Sequence, residues 1–160
     1  MLEGPELGLM ASCGVCEVHL DRQAGQRYEI SRSPLWILRH HPDPAPLPGW
    51  LLLDARRHMA GPIAFTAAEA AAWGGAVQQA SQLVQKLTGC DRVYAIAFGE
   101  GARHLHLHLI PRCGSEHATE AWRVADLYRA VAHGERAPAD PDAVRALVER
   151  ARSVHLTSQP

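Results

Sequence analysis

The sequence predicts an α+β domain: an antiparallel sheet, one long helix and a helical C-terminal extension. Three observations lead there. Five short β-prone runs are separated by turn-rich or proline-rich connections, a single long stretch has helical periodicity with caps at both ends, and further helical stripes are confined to the tail.

In chain order, residues 1–12 read as a loose lead-in carrying Gly4, Pro5 and Gly8. Tyr28 to Ser31 and Leu35 to His40 are the first two strands. Pro42, Pro44, Pro46 and Pro48 then alternate with other residues, a spacing that forbids helix and favours an extended connection. Trp50 to Asp54 forms an apolar strand, followed by the basic turn Arg56-Arg57-His58. Thr66-Ala-Ala-Glu69 is a capping box that opens the long helix. Trp73, Val77, Ala80, Val84 and Leu87 make its buried stripe, and Gly89 is placed for a left-handed end. Gly74-Gly75 inside this helix costs about 1 kcal/mol per glycine relative to alanine, which points to the close approach of another backbone. Arg92 to Phe98 and His104 to Pro111 are the last strands, joined by a turn at Gly99-Glu-Gly101. In the tail, Val124, Leu127, Tyr128 and Val131 form one stripe ended by Gly134. Asp140-Pro141 starts another helix through Val144, Leu147 and Val148. The chain thus divides into the lead-in 1–12, a domain over 13–113, and a helical extension over 114–160 that reads as packing or dimer-supporting structure.

The chain has 160 residues, of which 47% are hydrophobic and 21% charged, and its formal net charge is −1. No global field draws it to nucleic acid or to an anionic membrane, so any phosphate must be held by local groups. The start of the sequence lacks a basic region followed by an apolar run, and no apolar run approaches a membrane span, which points to the cytosol. Cys13-Gly-Val-Cys16 has the spacing of a metal or redox pair, whereas Cys90 and Cys113 have no such spacing and read as packing residues.

Ten histidines are the compositional oddity. His40-His41 reads as an exposed pair before the proline connection. The informative run is His104-Leu-His106-Leu-His108-Leu-Ile-Pro111-Arg112. Strand side chains alternate, so three imidazoles share one face and three leucines the other. Such a face suits two kinds of chemistry. Imidazoles two apart can ligate one metal ion, or one ring can act as a nucleophile at phosphorus while its neighbours handle protons. Arg112 reads either as a phosphate ligand or as a surface arginine at a strand end.

The run His104 to Ile110 resembles the motif of the histidine-triad family, and Pro111-Arg112 resembles its common sequel. Gly49-Trp-Leu-Leu-Leu-Asp-Ala-Arg-Arg-His58 resembles the family's strand and basic turn, and Cys13-x-x-Cys16 the pair seen in many bacterial members. The resemblance spans roughly residues 13–113. It implies a nucleotide-binding α+β domain that forms homodimers and hydrolyses or transfers nucleoside monophosphates from phosphoramidates, dinucleoside polyphosphates or nucleotide sugars. His106 would attack the α-phosphorus to give a covalent nucleotidyl-histidine, His108 would contact the phosphate and orient the nucleophile, and His104 would complete the triad. Four features depart from the pattern, among them His40-His41 in the neighbourhood where an acidic residue often grips the ribose, and the absence of a serine or threonine hydroxyl to contact phosphate. Trp50 stands where many members have histidine, and Gly99-Glu-Gly101-Ala-Arg103 replaces a Gly-Gln-Ser or Gly-Gln-Thr element, so Gly101, Ala102 and Arg103 are the residues left to contact phosphate. The resemblance also implies a structural zinc ion held by Cys13, Cys16, His58 and His104, with His19 as an alternative ligand. Two other readings are a metal-dependent hydrolase with the histidine strand as ligands, and a nucleotide-binding module without turnover.

Overall fold

The computed structural model describes residues 13–157, so the lead-in expected over 1–12 lies outside the described residues. Two short helices, α1 (Gly14–Leu20) and α2 (Arg22–Tyr28), lead into β1 (Glu29–Arg32), β2 (Trp36–His40) and β3 (Leu51–Ala55). The long helix α3 (Ala67–Thr88) connects β3 to β4 (Arg92–Ile96), and β5 (His106–Arg112) is followed by α4 (Val124–Ala132) and α5 (Pro141–Thr157). The strands form one antiparallel sheet in the order β1-β2-β3-β5-β4. The five predicted strands are all present with ends moved by one or two residues. One shift matters: β5 begins at His106, so His104 precedes the strand and does not share its face.

Local chemistry accounts for the long helix. The Thr66 hydroxyl accepts from the Glu69 amide at 3.2 Å, and the Glu69 carboxylate accepts from the Thr66 amide at 2.7 Å. A cap of this kind is worth about 1 kcal/mol. Gly89 ends the helix at φ 68°, ψ 18°, donating its amide to the Gln85 carbonyl. The backbone approach expected at Gly74 and Gly75 is not found: a Cβ at either position meets nothing within 4 Å among the described residues. Both lie on the exposed side of α3. Replacing either with alanine should therefore raise the unfolding free energy by about 1 kcal/mol, read as a higher urea midpoint with an unchanged slope. A lower midpoint would mean that something packs against this face.

The sheet is covered on both sides. On one, Trp36 and Leu38 of β2, Leu51 and Leu53 of β3, and Leu107 and Leu109 of β5 pack against Ala80, Leu83, Val84 and Leu87 of α3. Val144, Leu147, Val148 and Ala151 of α5 join the same core, so the tail helix completes it. Arg150 donates to the Leu87 carbonyl at 2.6 Å and Arg152 to the Glu29 carbonyl at 2.6 Å, tying α5 to α3 and β1. Cys90 is buried in this core and Cys113 packs against it, as expected from their spacing. On the opposite side, Val124, Leu127 and Val131 of α4 pack on Trp50 and Ile110. No helix of the described residues is long and apolar enough to cross a membrane.

Candidate active site

Register places the chemistry. Asp54 lies opposite His106 and Ile37, and Leu52 opposite His108 and Arg39, so these six side chains share the face beneath α4. The His41 amide donates to the Trp50 carbonyl at 2.9 Å, adding a third row to the same face. Leu107 and Leu109 point into the core, as their alternation predicts.

His106 is the half-buried member of the triad, whereas His104 and His108 are each 1% exposed. Nδ1 of His106 lies 2.6 Å from the His104 carbonyl oxygen. A carbonyl can only accept, so Nδ1 carries the proton and the neutral ring keeps its lone pair on Nε2. That arrangement orients a nucleophilic nitrogen without using another side chain.

His108 is enclosed by rings. Phe98 lies 4.9 Å away, Tyr128 of α4 5.7 Å, Trp50 5.8 Å and His41 6.2 Å, measured between centroids. Tyr128 stacks on both Trp50 and Phe98 at 5.9 Å. Helix α4 thus forms one wall of the site, a role its apolar stripe did not disclose.

Burial pushes His108 down to about 3, with the charges of His106, His41 and Arg39 adding to the effect. Burial likewise pushes His41 down to about 4. An unfolded histidine titrates near 6.5, so below that pH the unfolded chain takes up protons that the native rings refuse. The stability contributed by these neutral rings is complete above about pH 6.5 and is lost as the pH falls toward the native values. Between pH 6.5 and pH 5 each ring accounts for about 2 kcal/mol. Denaturant unfolding at pH 7 and at pH 5 should therefore differ by about 4 kcal/mol, and equal stability at both would contradict neutral burial.

His104 belongs to a different cluster. Its Nε2 lies 2.7 Å from the Ala55 carbonyl oxygen, so Nε2 carries the proton and Nδ1 presents a lone pair. That nitrogen lies 3.3 Å from Sγ of Cys16 and 3.6 Å from Sγ of Cys13, and Nδ1 of His58 lies 3.4 Å from Sγ of Cys16. The four donor atoms of Cys13, Cys16, His58 and His104 all fall within 4.8 Å of one another. Sulfur and nitrogen ligands of tetrahedral zinc stand about 3.6 Å apart, from bonds of about 2.3 and 2.1 Å. The donor set and its spacing are thus compatible with zinc, and the carbonyl partner of His104 is the support that metal-bound imidazoles use. Burial, together with the Cys13 thiol, pushes the Cys16 thiol up to about 11, so a cation is needed to hold Cys16 as a thiolate near neutral pH. His19 is outside this cluster and turns its Nε2 to Asp54.

No protein-family model matches the chain, and no curated protein matches it. Solved structures do. A histidine-triad protein from Sinorhizobium meliloti is 20% identical with a TM-score of 0.61, the match covering 84% of this chain and 94% of that one. One from Bradyrhizobium japonicum is 21% identical with a TM-score of 0.60, covering 84% and 95%. A zinc-bound histidine-triad family protein from Mycobacterium smegmatis is 13% identical with a TM-score of 0.59, covering 82% and 87%. This chain has the histidine-triad fold.

Within that fold, two polar residues that the sequence did not single out, Arg39 and Asp54, are buried beside the triad, and His19 reaches Asp54 from α1. The Asp54 carboxylate is fully buried, accepting from Nε of Arg39 at 2.5 Å and from Nε2 of His19 at 2.8 Å. Burial alone would raise the Asp54 pKa, but Arg39 and His19 outweigh it and hold the carboxyl below its ordinary value. Arg39 is itself 4% exposed, and its Nη1 is buried with no hydrogen-bond partner among the described residues. An arginine and an aspartate on the histidine-facing positions of two otherwise apolar strands were the available signal.

Other positions of the histidine-triad fold correct the sequence reading. His40 is fully buried, accepting from the Gly49 amide and donating to the His41 carbonyl, and His41 is 9% exposed, so the pair is not a surface feature. Arg112 is turned inward, donating to the carbonyls of Cys113 and Glu116 and to the Thr119 hydroxyl. Arg57 anchors the basic turn by donating to Glu69 of the capping box at 2.9 Å. Gly101 and Arg103 are exposed and Ala102 half-buried, in the segment between β4 and β5. A groove of about 840 Å³ lies on the other side of the sheet, among β1, β2, α3 and the end of α5, and holds none of the triad.

Proposed function

We propose that the chain is a nucleotide hydrolase or nucleotidyl transferase that acts at the α-phosphorus of a nucleotide conjugate through a covalent nucleotidyl-His106. The observation that carries this reading is the His106 ring, half-buried, with Nδ1 committed to the His104 carbonyl and Nε2 left as a lone pair. His108 is the phosphate contact, His104 holds the nucleophile through its backbone, and Gly101, Ala102 and Arg103 line the phosphate side from the β4–β5 segment. The substrate class is a phosphoramidate, a dinucleoside polyphosphate or a nucleotide sugar. Attack forms the histidine–phosphorus bond as the bond to the leaving group breaks. Water or another acceptor then releases the nucleoside monophosphate.

Cys13, Cys16, His58 and His104 are assigned to a structural zinc ion that closes the N-terminal helix onto the strand end. Bound zinc would supply folding energy there and fix the His104 ring. Four free thiols suit a reducing compartment such as the cytosol. The reading in which all three histidines ligate one catalytic metal is disfavoured, because His104 faces the cysteines and Nδ1 of His108 accepts from Trp50 at 2.9 Å.

The test is a panel of adenylyl and guanylyl conjugates followed by chromatography for released nucleoside monophosphate, with and without brief chelation. Release that survives chelation supports the reading. Immediate loss with chelator favours the metal-dependent hydrolase, and tight binding without release a non-catalytic module. The reading also includes a homodimer, with α3 or the edge strand β4 at the symmetric interface. Sedimentation equilibrium should give twice the chain mass at micromolar concentration, and a monomer throughout that range would contradict it.

A further inference from the structure

We propose that Trp50 sets the tautomer of His108 and thereby makes His108 a fixed hydrogen-bond donor, through Nε2, to the phosphoryl group that His106 attacks. The inference rests on the proposed function for its catalytic consequence, but its structural content stands on geometry alone.

Nε1 of Trp50 lies 2.9 Å from Nδ1 of His108. An indole N–H donates and never accepts, so Nδ1 of His108 must hold the lone pair, and the proton of the neutral ring resides on Nε2. Both partners are sealed, Trp50 at 0% and His108 at 1% exposure. A second protonation would place an imidazolium among Phe98, Tyr128, Trp50 and His41, with the Arg39 guanidinium also on this face. Desolvation opposes that charge, and the Asp54 carboxylate on this face is already engaged by Arg39 and His19. The titratable and charged groups around His108 are His41, His106, Arg39, Asp54 and Tyr128; burial first, then His106, His41 and Arg39, disfavour its charged form against the opposing pull of Asp54.

A neutral ring locked in this tautomer has one polar function left, the Nε2 proton. It can donate to a phosphoryl oxygen as negative charge develops there, and it keeps its own proton throughout. The proton that a leaving group requires must come from another group or from water. With the indole N–H removed, the opposite tautomer becomes accessible, and Nε2 would then present a lone pair to an anionic oxygen. The geometry is unchanged but the sign of the interaction is reversed. Trp50 thus acts through His108 as a positioning residue. Helix α4 supports it, since Tyr128 stacks on the indole and closes the ring cage.

The test uses protein labelled with nitrogen-15 at histidine and long-range proton–nitrogen correlation spectra, with AMP and inorganic phosphate as probes. In the wild type at pH 7, His108 should show a protonated Nε2 and an acceptor Nδ1, unchanged down to pH 5, and its Nε2 proton should shift when AMP or phosphate is added. Trp50→Phe should redistribute the proton to Nδ1 and lower kcat at least tenfold, as for loss of a donor to a developing oxyanion, with KM changed much less. Trp36→Phe is the control, because Nε1 of Trp36 has no partner in the described structure, and it should leave spectrum and kcat as they are. A wild-type His108 protonated on Nδ1, or charged at pH 7, would overturn the proposal even if Trp50→Phe fails to fold. So would a folded Trp50→Phe with the wild-type nitrogen pattern. The spectra need no turnover, so an inactive chain with the expected tautomer would overturn the proposed reaction and leave the assignment of His108 standing.

Discussion

Replacing His106 with alanine is expected to lower turnover at least a thousandfold while leaving nucleotide affinity and fold nearly unchanged. The rate loss follows from the role of the ring, because without a nucleophile the displacement must be made by water in one step, without the covalent intermediate. Retained stability follows from position. The ring is half-buried on the face away from the leucine core, and its one hydrogen bond within the described structure goes to a backbone carbonyl. Truncation therefore opens no core cavity and should change the unfolding free energy by about 1 kcal/mol or less. The measurement is steady-state release of nucleoside monophosphate beside calorimetric nucleotide binding and a urea melt. A variant that is inactive because it is unfolded would not support the assignment, and one that retains wild-type turnover would refute it.

The second large effect is expected at Cys13. Zinc should be present at one ion per chain, and Cys13→Ser should reduce it to a small fraction. The ion would close a loop of about ninety residues between the first cysteine and His104, and its binding energy would then be folding energy. A loss of about 3 kcal/mol would lower Tm by about 10 °C for a domain of this size. The damage should reach the site, because α1 carries His19 to the Asp54 carboxylate and packs its ring against His104 at a centroid distance of 5.3 Å. His104 in turn supplies the carbonyl that holds His106. Turnover should therefore fall along with stability. Prolonged chelation that strips the metal from the wild type should reproduce both losses, turnover falling slowly and in step with unfolding and not at once as for a catalytic metal. Metal-free wild type with undiminished Tm and turnover would eliminate the zinc site.

Much of this was legible in the residues because the relevant signals are local. Thr66 and Glu69 are three apart, which is all a capping box requires, and the structure has both of its hydrogen bonds. Period-two alternation in the histidine strand separated the leucine face from His106 and His108 before any contact was known. It failed at His104, where the strand has not yet begun and the ring is turned by the Ala55 carbonyl toward the two cysteines. The zinc ligand set was suggested by resemblance, and the four donors do converge.

What the sequence concealed depends on long-range packing. Nothing local reveals that α4 folds back over the histidine face, so Tyr128 looked like one more apolar position, and His40-His41 looked exposed. Arg39 and Asp54 meet across two strands and His19 reaches them from a helix, so no spacing rule joins them. Trp50 appeared as a missing histidine, and only the folded packing brings its indole to donate to His108.

The most direct measurement of the central claim is intact mass spectrometry on protein quenched within seconds of mixing with an adenylyl or guanylyl conjugate, followed by peptide mapping. The expected result is a transient mass increase equal to one nucleotidyl group, labile to acid, located on the peptide containing His106 and absent from His106→Ala. Turnover with no adduct at any quench time, or an adduct that maps to another residue, would contradict covalent catalysis by His106.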